Sequence, residues 1–451
     1  MSTLRSRLPR CLVVAATCAA MTLGTLASPV LGAGVTFGTP TATSKFNTGI
    51  VFTQPISGAS VTEADIVLTM PGDLGPTVVK LPSPGSSKLT YTLDTSTGGI
   101  QPNTKVVGRF QVILADGTTQ QGPDIKITYT DDRFSWQTLT GTLVILHWYS
   151  GDAAFAKQAL AMGENGIAKS AKFLGVTETS PIDFFVYATQ QPFYDALGPG
   201  TRDNVGGQAN TVIRTLFALI SPSDLGYAST VVPHELTHVV FDDGTDNAYH
   251  APPRWLNEGL AVYLSQGYGS DDRSLVSAAA KSKTLMPLTA LTGQFPTTQE
   301  RFYLAYAESV SAVSYMVGKY GQPAFQKLIT AYRGGVTDDE AFTTAFGVDT
   351  AAVNKAWLAT NGISAPPSYG PQPAPKGPVP SGWTTTGGGT TQSGSSAVPG
   401  ASTGATGSSG SGGGSDPSVL ILAGGFGALG LFLLAAAGVL IVRDRNATPR
   451  L

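Results

Sequence analysis

Short apolar and polar runs alternate along the first third of the chain. Later in the chain the apolar residues recur at the spacing of a helix. Strand-like runs separated by turn residues are found at 49–53, 65–70, 88–93, 106–114 and 124–129. Their spacing predicts a small all-β, sandwich-like domain over 34–130. From residue 131 the pattern predicts strands at 143–148, 182–188 and 211–220, a helix at 152–173, and mainly helices after residue 230. We therefore expect an α+β chain, in which a small mixed sheet and a helical subdomain occupy 131–361.

The two ends of the chain have the composition of targeting and anchoring segments. Residues 1–33 combine three arginines, an apolar stretch and small residues, as a secretory signal peptide does, and they contain both cysteines of the chain. Residues 362–417, rich in Gly, Ser, Thr and Pro, predict a disordered stalk. The uncharged, apolar residues 418–442 predict one transmembrane helix, and the arginines of 443–451 predict a cytoplasmic tail. We expect a single-pass protein of the cell membrane whose folded domains are extracellular, in the cell envelope.

Charge and cysteine content narrow the possible partners and ligands. The predicted outward portion has a net charge of about −7, which makes nucleic acid an unexpected partner. Without cysteine in the mature chain, disulfides and thiolate metal ligands are excluded. The sequence does not indicate an oligomeric state.

The most informative stretch is His234-Glu235-Leu236-Thr237-His238. Residues four apart on a helix lie one turn above each other, so His234 and His238 can bind one Zn²⁺ while Glu235 faces a reacting water as general base. Pro233 fits a helix that begins near Ser229 or Thr230, because proline is tolerated in a first turn.

A third ligand is expected on the next helix. Prolines 252 and 253 predict a helix start, and a helix from Pro253 to about Gln266 presents Glu258. Two histidines and one glutamate form a catalytic zinc set, which leaves a coordination position open for water. Asp246 and His250, in the intervening loop, are alternative third ligands.

His234 to His238, followed by Asn257-Glu258-Gly259, resembles the gluzincin clan, which includes thermolysin and the aminopeptidase-N-like enzymes. The wider pattern over about 132–360 is similar to the peptidase MA-like domain. The resemblance implies a zincin-like catalytic domain and a zinc metallopeptidase that acts on peptide or protein substrates.

A second segment also resembles this clan. Gly206, Gly207, Gln208, Ala209 and Asn210 are similar to the GxMEN strand of aminopeptidase-N-like enzymes, whose glutamate holds the free α-amino group of a substrate. Ala209 stands at the glutamate position. The resemblance then implies an edge strand that pairs with an extended peptide and favours endopeptidase over aminopeptidase activity. A glycine-rich turn before a strand at 211–213 is the alternative.

Two further residues are candidates for supporting roles. The MA-like resemblance leads us to expect an oxyanion-stabilising tyrosine on the helix after the ligands, and Tyr306 is the first choice, with Tyr303 and Tyr315 as alternatives. Asp242, one turn beyond His238, is expected to accept a hydrogen bond from that imidazole, with a solvated charge at the helix end as the alternative. His147 lies in an apolar run, and we interpret it as a strand histidine with a satisfied hydrogen bond.

Two other functions remain open at this stage. The chain could be a non-catalytic surface-binding protein on a zincin scaffold, since a scaffold does not fix a function. It could also be a zinc hydrolase of a non-peptide bond such as a cell-wall amide, because a metal-activated water attacks many carbonyls.

Overall fold

The computed structural model describes residues 34–84, 87–199, 201 and 205–364. The N-terminal part is built of β1 (Val35–Phe37), β2 (Thr41–Lys45), β3 (Gly49–Gly58), β4 (Val61–Thr69), β5 (Thr77–Lys80), β6 (Lys88–Asp94), β7 (Lys105–Leu114), β8 (Thr119–Gln121) and β9 (Ile125–Thr128). One antiparallel sheet has the order β1-β3-β2 with β6 on β3, and the other has the order β5-β4-β7-β8 with β9 on β7. The sandwich predicted from the alternating pattern is confirmed.

The sandwich core continues into the second half of the molecule. Phe52 and Phe110, from its two sheets, are fully buried in one cluster that also contains Tyr187 and Phe217 of the following sheet. At the same junction Asn103 Nδ2 donates hydrogen bonds to side chains of two strands of that sheet, each 2.9 Å long. The N-terminal domain therefore packs directly on one face of the second sheet.

The second sheet contains β10 (Gln137–Thr140), β11 (Val144–Trp148), β12 (Ile182–Tyr187), β13 (Gly207–Asn210) and β14 (Thr215–Leu219), in the order β10-β11-β12-β14-β13. Its three central strands are parallel and its two outer strands antiparallel, so the predicted mixed sheet is confirmed. The strand predicted at 211–220 was too long. Residues 211–214 form the turn between β13 and β14, where Arg214 adopts a left-handed conformation with φ 48°.

The described residues form nine α-helices, which pack mainly on the other face of this sheet and on one another. They are α1 (Ala153–Leu174), α2 (Gln190–Leu197), α3 (Ala228–Thr245), α4 (Arg254–Ser265), α5 (Ser270–Ser282), α6 (Gln299–Tyr320), α7 (Gln322–Arg333), α8 (Asp338–Phe346) and α9 (Thr350–Thr360), and a 3-10 turn lies at Leu288–Leu291. Helix α3 is the most enclosed because α1, α4 and α7 pack around it and β13 lies alongside. The α+β class and the helical second half are confirmed.

Helix α3 begins earlier than the sequence predicted. Its first residue is Ala228, so Pro233 is its sixth residue and lies in the second turn rather than the first. A proline there cannot donate a hydrogen bond to the preceding turn. Helix α1 packs closely at this point: a Cβ placed on Gly166 of α1 would lie 3.1 Å from the Pro233 Cα, so the glycine lets α1 approach α3.

The predicted signal peptide (1–33), the stalk beyond residue 364, the membrane helix (418–442) and the tail (443–451) lie outside the described residues. Among the residues that are described, no helix combines the length and the apolar composition needed to cross a membrane.

Candidate metal centre

Helices α3 and α4 bring three buried side chains to one point. Nε2 of His234 and Nε2 of His238 lie 3.2 Å apart, and each lies 3.6 Å from Oε2 of Glu258. All three residues are at most 1% exposed. The structure therefore places the predicted HExxH pair and the predicted third acid together, on two adjacent helices.

The spacing of these three atoms fits a tetrahedral zinc site. Zinc bonds of about 2.0 to 2.1 Å at tetrahedral angles separate neighbouring ligand atoms by about 3.3 Å. Glu258 Oε2 is buried and has no hydrogen-bond partner among the described residues. Two imidazole nitrogens and a carboxylate oxygen in such proximity would be stabilised by a shared cation, since their lone pairs repel one another. The donor set is the one expected for a catalytic zinc ion with an open fourth position.

The ionisation of the ligands also suits metal binding. Burial lowers the pKa of His234 to about 4, so its imidazole is neutral near pH 7, as a metal ligand must be. Burial alone would raise the pKa of Glu258, but the adjacent side chains of His234, His238 and Arg254 lower it below its usual value. Glu258 is therefore a carboxylate at neutral pH.

The His238 ring is oriented by Asn257 and not by Asp242. Nδ1 of His238 lies 2.7 Å from Oδ1 of Asn257, which accepts the N–H and leaves Nε2 with its lone pair toward the cluster. The expectation for Asp242 was wrong, because its side chain bonds instead to Thr211 in the β13–β14 turn. Asn257 was singled out only as part of the ligand motif, and its orienting role depends on how α4 crosses α3, which the sequence pattern does not reveal.

Glu235 lies next to the cluster and bonds to the edge strand. Its Oε2 accepts a 3.0 Å hydrogen bond from the backbone N–H of Ala209. Burial is the main cause that raises its pKa to about 7, and the charge of Glu258 adds to the effect. A carboxyl group with such a pKa can take up and release a proton near neutral pH, as a general base and acid must.

Strand β13 is an edge strand, as the resemblance implied, and the turn alternative is wrong. Leu219 N donates to Gly206 O, so in this antiparallel pair the backbone groups of Gly207 and Ala209 point away from β14, on the side where the Ala209 N–H donates to Glu235 of α3. Gly207 permits close packing on α3, because a Cβ there would lie 2.8 Å from Cγ of Glu235.

Each of the remaining residues of the GxMEN-like segment has a different environment. A Cβ on Gly206 would lie only 1.7 Å from the hydroxyl of Tyr227, so Gly206 leaves room for that tyrosine beside the strand. Asn210 donates a 2.9 Å hydrogen bond to Gln101 of the N-terminal domain, and Gln208 is partly buried. Ala209 is fully buried.

Tyr306 is the tyrosine that reaches the site. It is buried, its hydroxyl is hydrogen-bonded to Arg254, and it interacts electrostatically with Glu258 and Glu235. The alternatives lie elsewhere: Tyr303 packs on Phe302, and the Tyr315 hydroxyl accepts a 3.0 Å hydrogen bond from Lys319.

The alternative third ligands lie outside the cluster, and the histidine of the sheet has its own hydrogen-bond partner. His250 is held by Asp338 at 2.9 Å, and Asp246 is exposed, so neither joins the cluster. His147 of β11 is hydrogen-bonded to Asp183 at 2.7 Å, as expected for a satisfied strand histidine. The cluster at α3 and α4 is the one group of potential metal ligands found among the described residues.

A cavity of about 1140 Å³ adjoins the Glu258 side of the cluster. Asn257 and Glu258 line the part of the cavity next to the cluster. Three further carboxylates also line the cavity, those of Asp242, Asp243 and Asp246. This space is large enough for several residues of a peptide.

Sequence reasoning missed Arg254, whose guanidinium donates a 3.2 Å hydrogen bond to Oε1 of Glu258. The two residues are four apart on α4, and this spacing was the available signal, because i,i+4 pairs of opposite charge face each other on a helix.

Comparison with known proteins agrees with this site. Residues 162–361 match the family model described as Peptidase MA superfamily. The comparison with curated proteins gave no match.

Solved structures also match this chain, at low sequence identity. An M1 zinc metallopeptidase mutant from Deinococcus radiodurans, bound to a Tyr-Ser-Ala substrate, is 12% identical with a TM-score of 0.36, covering 75% of this chain and 96% of its own. Another structure of an M1 zinc metallopeptidase from the same organism is 14% identical with a TM-score of 0.37. The match covers 74% of this chain and 95% of that one. An aminopeptidase N family protein from Idiomarina loihiensis is 10% identical with a TM-score of 0.36, and the match covers 69% of this chain and 74% of that protein.

The family match spans α3 and α4, the two helices that carry the ligands, and extends to the end of α9. Residues 162–361 of this chain therefore form a gluzincin-like domain of the peptidase MA superfamily.

Proposed function

We propose that the protein is a zinc-dependent metallopeptidase that hydrolyses internal peptide bonds. The observation that carries this proposal is the convergence of His234, His238 and Glu258 beside Glu235, a buried carboxyl group whose pKa is about 7. A zinc ion held by the three ligands would polarise the scissile carbonyl and make water more acidic.

The residues around the ligands supply the proton transfers and the binding. Glu235 takes a proton from the attacking water and later passes it to the leaving amine. On the outward side of β13 the Ala209 N–H donates to Glu235, and the backbone groups that remain pair with an extended substrate, as an added strand does at a sheet edge. Tyr306 donates a hydrogen bond to the negative charge that develops on the carbonyl oxygen.

Endopeptidase activity is proposed because the edge strand has no group that holds a free α-ammonium. In residues 206–210 the side chains are uncharged, and Ala209 stands where the similar strand of aminopeptidase-N-like enzymes has its glutamate. An internal segment of a peptide can pair with the strand as well as an N-terminal one can.

Aminopeptidase activity is the second candidate, favoured by one observation. Asp242, Asp243 and Asp246 line the cavity that adjoins Glu258. A carboxylate there could pair with the α-ammonium of a substrate in place of the missing glutamate.

Digestion of a peptide library decides between these activities. The purified domains should cleave peptides with added Zn²⁺, lose activity with a chelator and regain it when zinc is restored, and Glu235→Gln serves as the inactive control. N-acetylated and free peptides should be cleaved alike. Cleavage of free peptides alone would favour the aminopeptidase, and no cleavage by the zinc-loaded protein would contradict both.

We further propose, from sequence alone, that the enzyme is anchored in the cell membrane by residues 418–442 and faces outward. Membrane fractions of cells that express the full chain should contain it, and protease added to intact cells should release the domains. Recovery of the protein in the soluble cytoplasmic fraction would contradict this location.

A further inference from the structure

Arg254 connects the candidate zinc ligands to the candidate oxyanion donor. It is the first residue of α4, its backbone N–H donates to Thr292 O at 2.9 Å, and its side chain is only 16% exposed. The guanidinium lies 5.0 Å above the ring of Phe295, donates at 3.2 Å to Gln294 Oε1 and bonds to the Tyr306 hydroxyl.

We propose that Arg254 is a positioning residue that fixes Glu258 and Tyr306 at once, so that zinc binding and oxyanion stabilisation depend on the same guanidinium. This inference rests on the proposed peptidase function. It assigns to Arg254 no contact with substrate.

The first half of the inference concerns which oxygen of Glu258 faces the histidines. Arg254 Nη2 donates to Oε1 at 3.2 Å, while Oε2 lies 3.6 Å from both imidazole nitrogens. Because Oε1 is engaged, the carboxylate offers a single oxygen to the metal and cannot rotate freely. Partners of this kind typically change metal affinity about 10- to 100-fold when they are removed.

The second half concerns the phenolic proton of Tyr306. A guanidinium has donors and no acceptor, so in its hydrogen bond with Arg254 the Tyr306 oxygen must accept. Because Arg254 cannot accept the phenolic proton, that proton is directed to another acceptor, and in our proposal the reacting carbonyl oxygen of a bound substrate takes this place. The ring is held in place by Phe295 at 5.2 Å and Phe302 at 5.1 Å.

A lysine cannot replace this arrangement. The guanidinium presents five donors in a rigid plane and so reaches Glu258 and Tyr306 together, whereas an ammonium group is a point charge on a flexible chain. Arg254→Lys therefore keeps the positive charge but cannot contact Glu258 and Tyr306 at the same time. This substitution separates the effect of the charge from the effect of the two contacts.

The first test measures zinc affinity by competition with a chromophoric chelator. Arg254→Lys and Arg254→Gln should bind zinc about 10- to 100-fold more weakly than the unmodified protein. Gln294→Ala, which removes a partner on the outer side of the same guanidinium, is the matched control and should bind zinc as the unmodified protein does. Equal affinity in all four proteins would overturn the first half of the inference.

The second test is a double-mutant cycle for peptide hydrolysis under zinc saturation. Arg254→Lys should lower kcat about 10²-fold with KM little changed, as expected for a misplaced catalytic group. In a Tyr306→Phe background the same substitution should cost much less, because the group it positions is gone. Fully additive losses would overturn the second half.

The tests separate this inference from the proposed function. If the unmodified protein binds no zinc or cleaves no peptide, the proposed function fails. If it does both, and Arg254→Lys matches it in zinc affinity and kcat, only the role of Arg254 fails. Far-ultraviolet circular dichroism and the Tm of each variant verify that it is folded.

Discussion

Nδ1 of His238 lies 2.7 Å from Oδ1 of Asn257, the residue directly before Glu258. Neighbouring residues of α4 thus act on the site in two ways: Asn257 orients an imidazole of α3, and Glu258 completes the ligand set. This relationship makes the spacing between α3 and α4 the main structural determinant of the centre.

Asn257→Ala should weaken zinc binding about 10- to 100-fold, because the His238 ring loses the acceptor that fixes its tautomer. Asp242→Asn is the matched control, since Asp242 bonds to Thr211 and not to His238. Zinc competition titrations should show a large change for the first variant and little for the second. The reverse ranking would restore the role first expected for Asp242.

Glu235→Gln should retain stoichiometric zinc and lose about 10²- to 10⁴-fold in kcat, because an amide cannot take the proton of the attacking water. The amide oxygen can still accept the Ala209 N–H, so the fold around the site should not change. Metal content and steady-state kinetics are measured on the same sample. Undiminished turnover would refute the assignment of Glu235 as the base.

Tyr306→Phe should cost about 2 to 4 kcal/mol of transition-state stabilisation, the range found when one oxyanion donor is removed. The loss should appear in kcat with an unchanged zinc content. Tyr303→Phe is the control, since Tyr303 packs on Phe302 away from the cluster. Equal kcat/KM values for the two variants would exclude the special role of Tyr306.

Glu308 predicts a dependence of stability on pH. It is fully buried on α6, Oε1 accepts a 3.0 Å bond from Met286 N, and Oε2 has no partner among the described residues. Burial raises its pKa from 4.5 to about 8. The folded state therefore holds this proton more tightly than the unfolded state, and the associated stability is present below pH 4.5 and lost as the pH rises to about 8.

Glu308→Gln removes that dependence and keeps an acceptor for Met286. The free energy of unfolding in urea should be similar for both proteins at pH 5 and higher for the variant by a few kcal/mol at pH 9. A constant difference at both pH values would mean that Glu308 does not titrate as its burial implies.

Much of the fold and the ligand set follows from local sequence. Alternating and helical periods predicted the sandwich, the mixed sheet and the helices, and the spacing of His234 and His238 predicted two ligands on one helical face. Glu258 was found because the prolines before it mark a helix start. These features depend on short segments, which the sequence specifies directly.

Several of the errors and omissions depend on packing between distant segments. Pro233 lies in a second turn at a point where Gly166 lets α1 pack closely on α3. Similarly, Gly259 was treated only as part of a motif, yet a Cβ on it would lie 2.5 Å from the Ser309 carbonyl oxygen of α6. The role of Asn257 and the contact of Arg254 with Tyr306 also result from helix crossings, and no periodicity in the sequence specifies a crossing.

The central claim is that one zinc ion is bound by His234, His238 and Glu258. Anomalous X-ray diffraction above and below the zinc edge, from crystals of the zinc-loaded domains, tests it most directly. We predict one anomalous peak about 2.0 to 2.2 Å from both Nε2 atoms and from a Glu258 oxygen. A zinc peak at other residues, or no peak in crystals grown with excess zinc, would contradict the account.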